Sequence, residues 1–235
     1  MNTALIIAGG IGSRVGNEIP KQFLTVNEVP IIIYTLKVFQ NHKGTDRIIV
    51  VCLSGWHEVL KAYCKQFGIT KLEAIIKSGT TRFESMYNGI KYLERCSKPD
   101  DLITIHDSNR PLVFSDVIDK SQKCASQYGN ALAIIQCNDA MFTSHNRFTA
   151  ESHVDKKIIF QGQTPETFKF SLIHEVCEKA LADNAGDLSS SALLIKYNHK
   201  VYLSEGSTLN FKITTSEDLD IFKALLKSGT VNSLI

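Results

Sequence analysis

Short, nearly continuous apolar runs alternate along this chain with longer segments whose apolar residues recur at helical spacing. The run from Thr3 to Ala8, "TALIIA", ends at Gly9-Gly10 and has the pattern of a strand buried on both faces. "RIIVVCL" (Arg47 to Leu53) and "DLITIHD" (Asp101 to Asp107) read the same way, with "LEAIIK" and "ALAIIQ" as less continuous cases. Between them Phe83, Met86, Tyr87, Ile90 and Leu93 fall on one helical face, and Thr81 with Glu84 has the spacing of a capping box at its start. Ser54 is the predicted N-cap of "GWHEVLKAYCKQFG", with Gly68 as its stop. Thr215 and Asp218 introduce a C-terminal helix over "LDIFKALL".

This alternation predicts a three-layer α/β fold with a mostly parallel sheet. Right-handed crossovers then gather the loops that follow the strands along one edge, where ligands bind. From about Cys137 to Phe160 the rhythm breaks into polar sequence with few apolar residues, which predicts short strands around turns in a protruding β-arm. An exposed arm needs something to pack on, and a second copy of the chain is the simplest partner.

The 235 residues suffice for one large domain, or a domain with an appendage, and 43% of them are hydrophobic. A net charge of +2 argues against a clamp that holds nucleic acid by neutralising its phosphates. No apolar stretch approaches the roughly 18 residues that cross a bilayer, and no basic segment precedes the first apolar run. The expectation is a soluble, cytoplasmic protein without membrane or nucleic-acid partners. Its six cysteines are scattered without a CxxC pair, which predicts reduced, mostly buried thiols, and no HExxH metal motif is present.

Candidate chemistry concentrates after the first strand, in "AGGIGSRVGNEIPKQFL". Gly9, Gly10 and Gly12 lie where a Cβ would keep a ligand from the backbone, and Arg14 and Lys21 add two cations to a loop whose N–H groups can cradle an anion. The dinucleotide pattern G-x-G-x-x-G is absent, and so is the Gly-Lys-Ser/Thr of a Walker A loop. Phosphate binding is the expectation; tight-turn glycines beside two solvated cations are the competing reading. Further along, Asp107 and Arg110 in "IHDSNRP" either face a ligand or pair to end the strand. Lys212 in "NFKITT" alternates with Phe211 and Ile213, which predicts a strand seating those two neighbours in the sheet.

With "SGTTRFESMYNGI" from Ser78, "IHDSNRP" from Ile105, "FQGQTPETF" from Phe160 and "NFKITTSEDL" from Asn210, that loop resembles the polyol-phosphate cytidylyltransferases, which act on ribitol 5-phosphate or 2-C-methyl-D-erythritol 4-phosphate. The resemblance implies a Rossmann-like nucleotidyltransferase fold, one cytidylyltransferase domain over residues 1–235, and dimerisation through the arm at about 137–160. It implies CTP and a polyol phosphate as substrates, Mg²⁺ as cofactor and a homodimer. Arg14, Lys21, Lys156 and Lys212 would be catalytic. Ile7, Ala8, Gly9, Gly10, Gly12, Gly79, Thr80, Thr81, Arg82, Ser85 and Asp107 would bind the nucleotide. Asp107, Arg110, Ala140 and Thr164 would meet the acceptor, with Asp107 also toward the metal.

The second substrate would be a phosphomonoester, largely dianionic at neutral pH, so its oxygen needs no general base. "FQGQTP" with Phe168, and "FKITT", resemble the ribitol branch more than the methylerythritol branch, which stands as the alternative. A nucleotide-binding regulator without turnover and a transferase of another base are further alternatives. Departures from the family pattern gather on the acceptor side: Ala140 after Asp139, Lys156 where Arg is usual, "AGDLSS" in place of a more acidic segment, and Glu166 for Gln.

Overall fold

The computed structural model describes residues 1–10, 19–185, 188–229 and 231. The first strand, β1 (Asn2–Ala8), is followed by a 3₁₀ turn at Lys21–Phe23 and a small ribbon of β2 (Thr25–Val26) and β3 (Val29–Pro30). Then come α1 (Ile31–Asn41), β4 (Arg47–Cys52), α2 (His57–Gln66), β5 (Leu72–Lys77), α3 (Arg82–Leu93), β6 (Leu102–Asp107), α4 (Ser115–Tyr128) and β7 (Asn130–Gln136). The predicted arm is a hairpin of β8 (Met141–Thr143) and β9 (Ser152–Val154). It leads into β10 (Phe160–Lys169), α5 (Phe170–Ala182), α6 (Ser190–Lys196), β11 (Leu203–Glu205) and α7 (Ser216–Lys227). Among the described residues no helix is long and apolar enough to cross a membrane.

The seven-stranded sheet runs β11-β7-β10-β6-β1-β4-β5. Every pairing is parallel except those of β10, which returns antiparallel against both β6 and β7. The cause is local: β7 reaches β10 through the arm, without a crossover helix, so the chain comes back in the opposite sense.

Strand alternation builds the three layers. Ala4, Ile6, Ala8, Ile48 and Val50 face one side and pack with Ile32, Leu36, Leu60 and Val117 of α1, α2 and α4. Leu5, Ile7, Ile49, Val51, Ile103 and Ile105 face the other, against Phe83, Met86 and Ile90 of α3 and Ile173 and Val176 of α5. A Cβ on Gly89 would come within 2.6 Å of Leu5 Cδ1, so α3 lies directly on β1. The α3 face has the predicted residues, with Phe83, Met86, Ile90 and Leu93 buried and Tyr87 packed against them. A third cluster seats Phe222 and Leu226 of α7 against Val26, Ile31 and Tyr34.

Several local expectations need correction. Ser54 does not cap α2; Gly55 turns the chain at φ +86°, so the helix begins at His57 with Trp56 before it and no side-chain cap. Trp56 instead stacks on Phe23, with ring centroids 4.4 Å apart. The stop is as expected, with Gly68 at φ +70° and the Ile69 N–H donating to the Cys64 carbonyl. Thr81 caps α3 by accepting from the Glu84 N–H, but the Glu84 carboxylate reaches back to the Thr80 N–H, one residue beyond the reciprocal position. The full box forms at Thr215 and Asp218. Residues 210–214 form no strand, because Ile213 gives its N–H and C=O to Asn109 and none to the sheet. Among the thiols Cys52, Cys64 and Cys177 are buried, Cys124 and Cys137 are half-buried and Cys96 is exposed, so burial holds for half of them.

Candidate active site

A cleft of about 270 Å³ opens where β1 and β6 end. Its floor comes from Ile7, Gly9 and Gly10, one wall from Thr80 to Arg82 and Ser85, and the other from Asp107, Asn109 and Lys212; Lys21 and Gln22 close the end. This is the edge the parallel topology predicts.

Two glycines are dictated by close packing. A Cβ at Gly9 would lie 2.7 Å from Ser78 Cβ, and one at Gly79 would lie 2.2 Å from Glu84 Cβ. The loops after β1 and β5 therefore press together and leave main-chain groups facing the cleft. Gln22 fixes the first loop, its buried amide donating to the Ala8 carbonyl at 2.8 Å and the Gly10 carbonyl at 3.1 Å. The Ser85 hydroxyl fixes the second, accepting from the Gly79 N–H at 3.1 Å and donating to the Thr81 carbonyl at 2.9 Å. Ser85 lines the cleft as predicted, yet its hydroxyl works as a strut across the loop. Hydrogen bonds from the Thr80 hydroxyl and N–H hold the Glu84 carboxyl below its ordinary range.

Asp107 is the electrostatic centre. It is 5% exposed, and its Oδ2 lies 2.9 Å from Lys212 Nζ and 3.3 Å from Arg110 Nε. Its Oδ1 lies 3.5 Å from Arg82 Nη2. Burial pushes this carboxyl up, but Lys212, Arg82 and Arg110 outweigh that and hold it far below the usual carboxylate range. The Asp107 N–H donates to the Thr164 hydroxyl at 3.2 Å, beside the cis Thr164–Pro165 bond.

Two buried asparagines bring Lys212 to this carboxylate. Asn109 Nδ2 donates to the Ile213 carbonyl at 2.6 Å, and Asn210 Nδ2 to the Thr164 carbonyl at 2.7 Å. Arg110 adds a bond of 2.8 Å to the Asn210 carbonyl. The coil carrying Lys212 is thus stitched to the turn after β6. His106, wholly buried behind that turn, has its imidazole pushed down to about 4 by burial and is neutral; its Nε2 donates to the Arg110 carbonyl at 3.1 Å.

The cleft brings together Ile7, Gly9, Gly10, Lys21, Thr80, Thr81, Arg82, Ser85, Asp107 and Lys212. Ala8 stands just behind it, and Gly79 shapes its wall through Ser85. Gly12 and Arg14 lie outside the described residues. Arg110 and Thr164 sit below the surface and brace Asp107 rather than line the cleft. Ala140 and Lys156 are exposed on the arm, with Lys156 Nζ 2.9 Å from the Asn138 carbonyl, and the cleft of the same chain does not include them. Sequence reasoning missed Gln22, Asn109 and Asn210, three amides inside the recognised motifs; their signal was a polar side chain next to an apolar run.

The site can neutralise anions but is poorly made for proton abstraction. Its one lining carboxylate is already shared among three cations, and the nearby imidazole is buried.

The sequence profile of the family named IspD, 2-C-methyl-D-erythritol 4-phosphate cytidylyltransferase, matches residues 2–228. The chain belongs to the IspD family. It is therefore an enzyme of the CTP-dependent nucleotidyltransferase class. A ribitol-5-phosphate cytidylyltransferase of Lacticaseibacillus paracasei is 38% identical over 97% of this chain and 98% of its own length. A 2-C-methyl-D-erythritol 4-phosphate cytidylyltransferase of Clostridium botulinum is 35% identical over 97% of this chain and 99% of its own. The 4-diphosphocytidyl-2C-methyl-D-erythritol synthase structure from Anaerococcus prevotii superposes with a TM-score of 0.82 at 23% identity, covering 96% of this chain and 98% of that one, which shows the IspD fold.

Proposed function

We propose that this IspD-family chain transfers CMP from CTP to ribitol 5-phosphate, forming CDP-ribitol and releasing pyrophosphate. The observation that carries the reading is the convergence of Lys21, Arg82 and Lys212 on one glycine-floored cleft around a single carboxylate. Choice of acceptor is supported by the 38% identity to the Lacticaseibacillus ribitol enzyme and by the Phe168 and "FKITT" features of the chain. Methylerythritol phosphate remains the second reading, supported by the 35% identity to the Clostridium enzyme.

The reaction joins two anions. A phosphate oxygen of the acceptor attacks the α-phosphorus of CTP, the bond to the β-phosphate oxygen breaks, and no proton moves. Charge neutralisation and in-line alignment supply the catalysis. Lys21, with Arg14, balances charge growing on the α-phosphate and on the leaving pyrophosphate. Lys212, about one-third exposed, turns from Asp107 toward the incoming phosphate. Backbone groups at Gly9, Gly10 and Thr80 to Arg82 hold base and ribose.

Among the described residues no three His, Cys, Asp or Glu side chains converge, so a preassembled metal cage is not built in. One cleft carboxylate does fit Mg²⁺, which takes one or two protein carboxylates and fills its remaining positions with phosphate oxygens and water. Asp107 would hold it, and the ion would screen charge on the triphosphate.

The arm, with Phe148 92% exposed and Ile158 70% exposed, supports a homodimer in which Lys156 and Ala140 of one subunit reach the other subunit's acceptor. The test of the reaction is pyrophosphate release from CTP, ATP, GTP and UTP with each acceptor in turn. Release confined to CTP and a polyol phosphate is expected; no release with any pair would overturn the reading.

A further inference from the structure

Glu166 lies outside the cleft lining, and no step above uses it. It pairs with Ile105 across β10 and β6, so its side chain leaves the sheet on the same face as that of Asp107, two residues along. It is 2% exposed. A carboxylate so deeply buried is costly unless it is both hydrogen-bonded and paired.

Both conditions are met, by different oxygens. Oε1 accepts from the Ser191 N–H at 2.9 Å and from the Ser191 hydroxyl at 2.6 Å. Oε2 lies 3.7 Å from Arg82 Nη2. The guanidinium is thereby held between two carboxylates, Glu166 and Asp107. Arg82 is also the first residue of α3, where the helix dipole disfavours a cation. Asp107 already serves Lys212 and Arg110, so a second carboxylate decides where this side chain rests.

We propose that Glu166, braced by Ser191, is a positioning residue that fixes the Arg82 guanidinium in the nucleotide half of the cleft. The assignment rests on the CTP reading of that cleft. It also moves Glu166 from the acceptor side, where its departure from the family pattern pointed, to the nucleotide side. A glutamine there keeps an oxygen for Ser191 but presents a neutral amide to Arg82, so the charge effect separates from the shape effect.

Calorimetric titration of the full chain with CTP, without acceptor, tests this apart from turnover. Glu166→Gln raises the CTP Kd about fivefold, the size expected for a half-exposed ion pair. In steady-state assays the CTP KM rises with it, while the acceptor KM stays within about twofold, a split that general loosening of the fold would not give. In an Arg82→Gln background the same change has no further effect, because the group it positions is gone. Ser191→Ala, which removes a brace and no charge, raises Kd by a smaller factor. Wild-type CTP affinity in Glu166→Gln overturns the inference and leaves the CTP reading intact, and so do independent, multiplying losses in the double variant. A wild-type chain that does not bind CTP overturns both.

Discussion

Lys212 carries the largest residue-scale expectation. It has no strand to hold it, and its position depends on Asn109 and Asn210 fastening the coil on either side. Lys212→Ala or Lys21→Ala lowers kcat by about 10²-fold or more, as for loss of a positioned charge on a transition state; near-normal turnover in either variant contradicts the proposed roles. A second prediction concerns pH. The folded chain holds His106 neutral down to about 4, against an ordinary 6.5. Between those values the unfolded chain binds the extra proton, so the contribution is full above about 6.5 and is lost as pH falls toward 4. Its size is up to about 3 kcal/mol. Asp107 acts in the same direction at lower pH, since its folded carboxyl is held below the ordinary range and its contribution is lost only as pH falls below that range. Melting temperature followed from pH 7 to 4 should fall in the wild type and fall less in His106→Gln. Equal slopes would show that the buried imidazole does not govern this window.

At the scale of elements, the buried strands and the α3 face were legible because period alone determines them. Boundaries were less so where one backbone angle decides the outcome, as when Gly55 at φ +86° displaces the start of α2 past Ser54. The coil around Lys212 misled for a related reason: alternation suggested a strand, but the backbone partners of Ile213 come from Asn109, far away in sequence. Loop glycines were legible as a phosphate signal. The amides that hold those loops were not, since their role exists only once Ala8, Thr164 and Ile213 have been brought beside them. The arm was legible from its polarity, and its β8–β9 hairpin leaves Phe142 and Phe148 exposed. Deleting residues 138–155 should yield monomers in sedimentation velocity. A dimer that survives the deletion would place the subunit contact elsewhere.

Across the whole molecule, six parallel-running strands and the returning β10 place one cation-rich cleft at a single sheet edge, and an IspD-family chain uses that edge for nucleotidyl transfer. The acceptor end is divided, with Asp107 and Lys212 in the cleft and Lys156 on the arm. Acceptor choice is consequently a property of the assembled enzyme and needs a direct measurement on it. Ribitol 5-phosphate and 2-C-methyl-D-erythritol 4-phosphate, present together at equal and subsaturating concentration with CTP and Mg²⁺, compete for the same site, and mass spectrometry of the early products reads the ratio of their kcat/KM values. CDP-ribitol in large excess is the predicted result; a predominance of the methylerythritol product would contradict it.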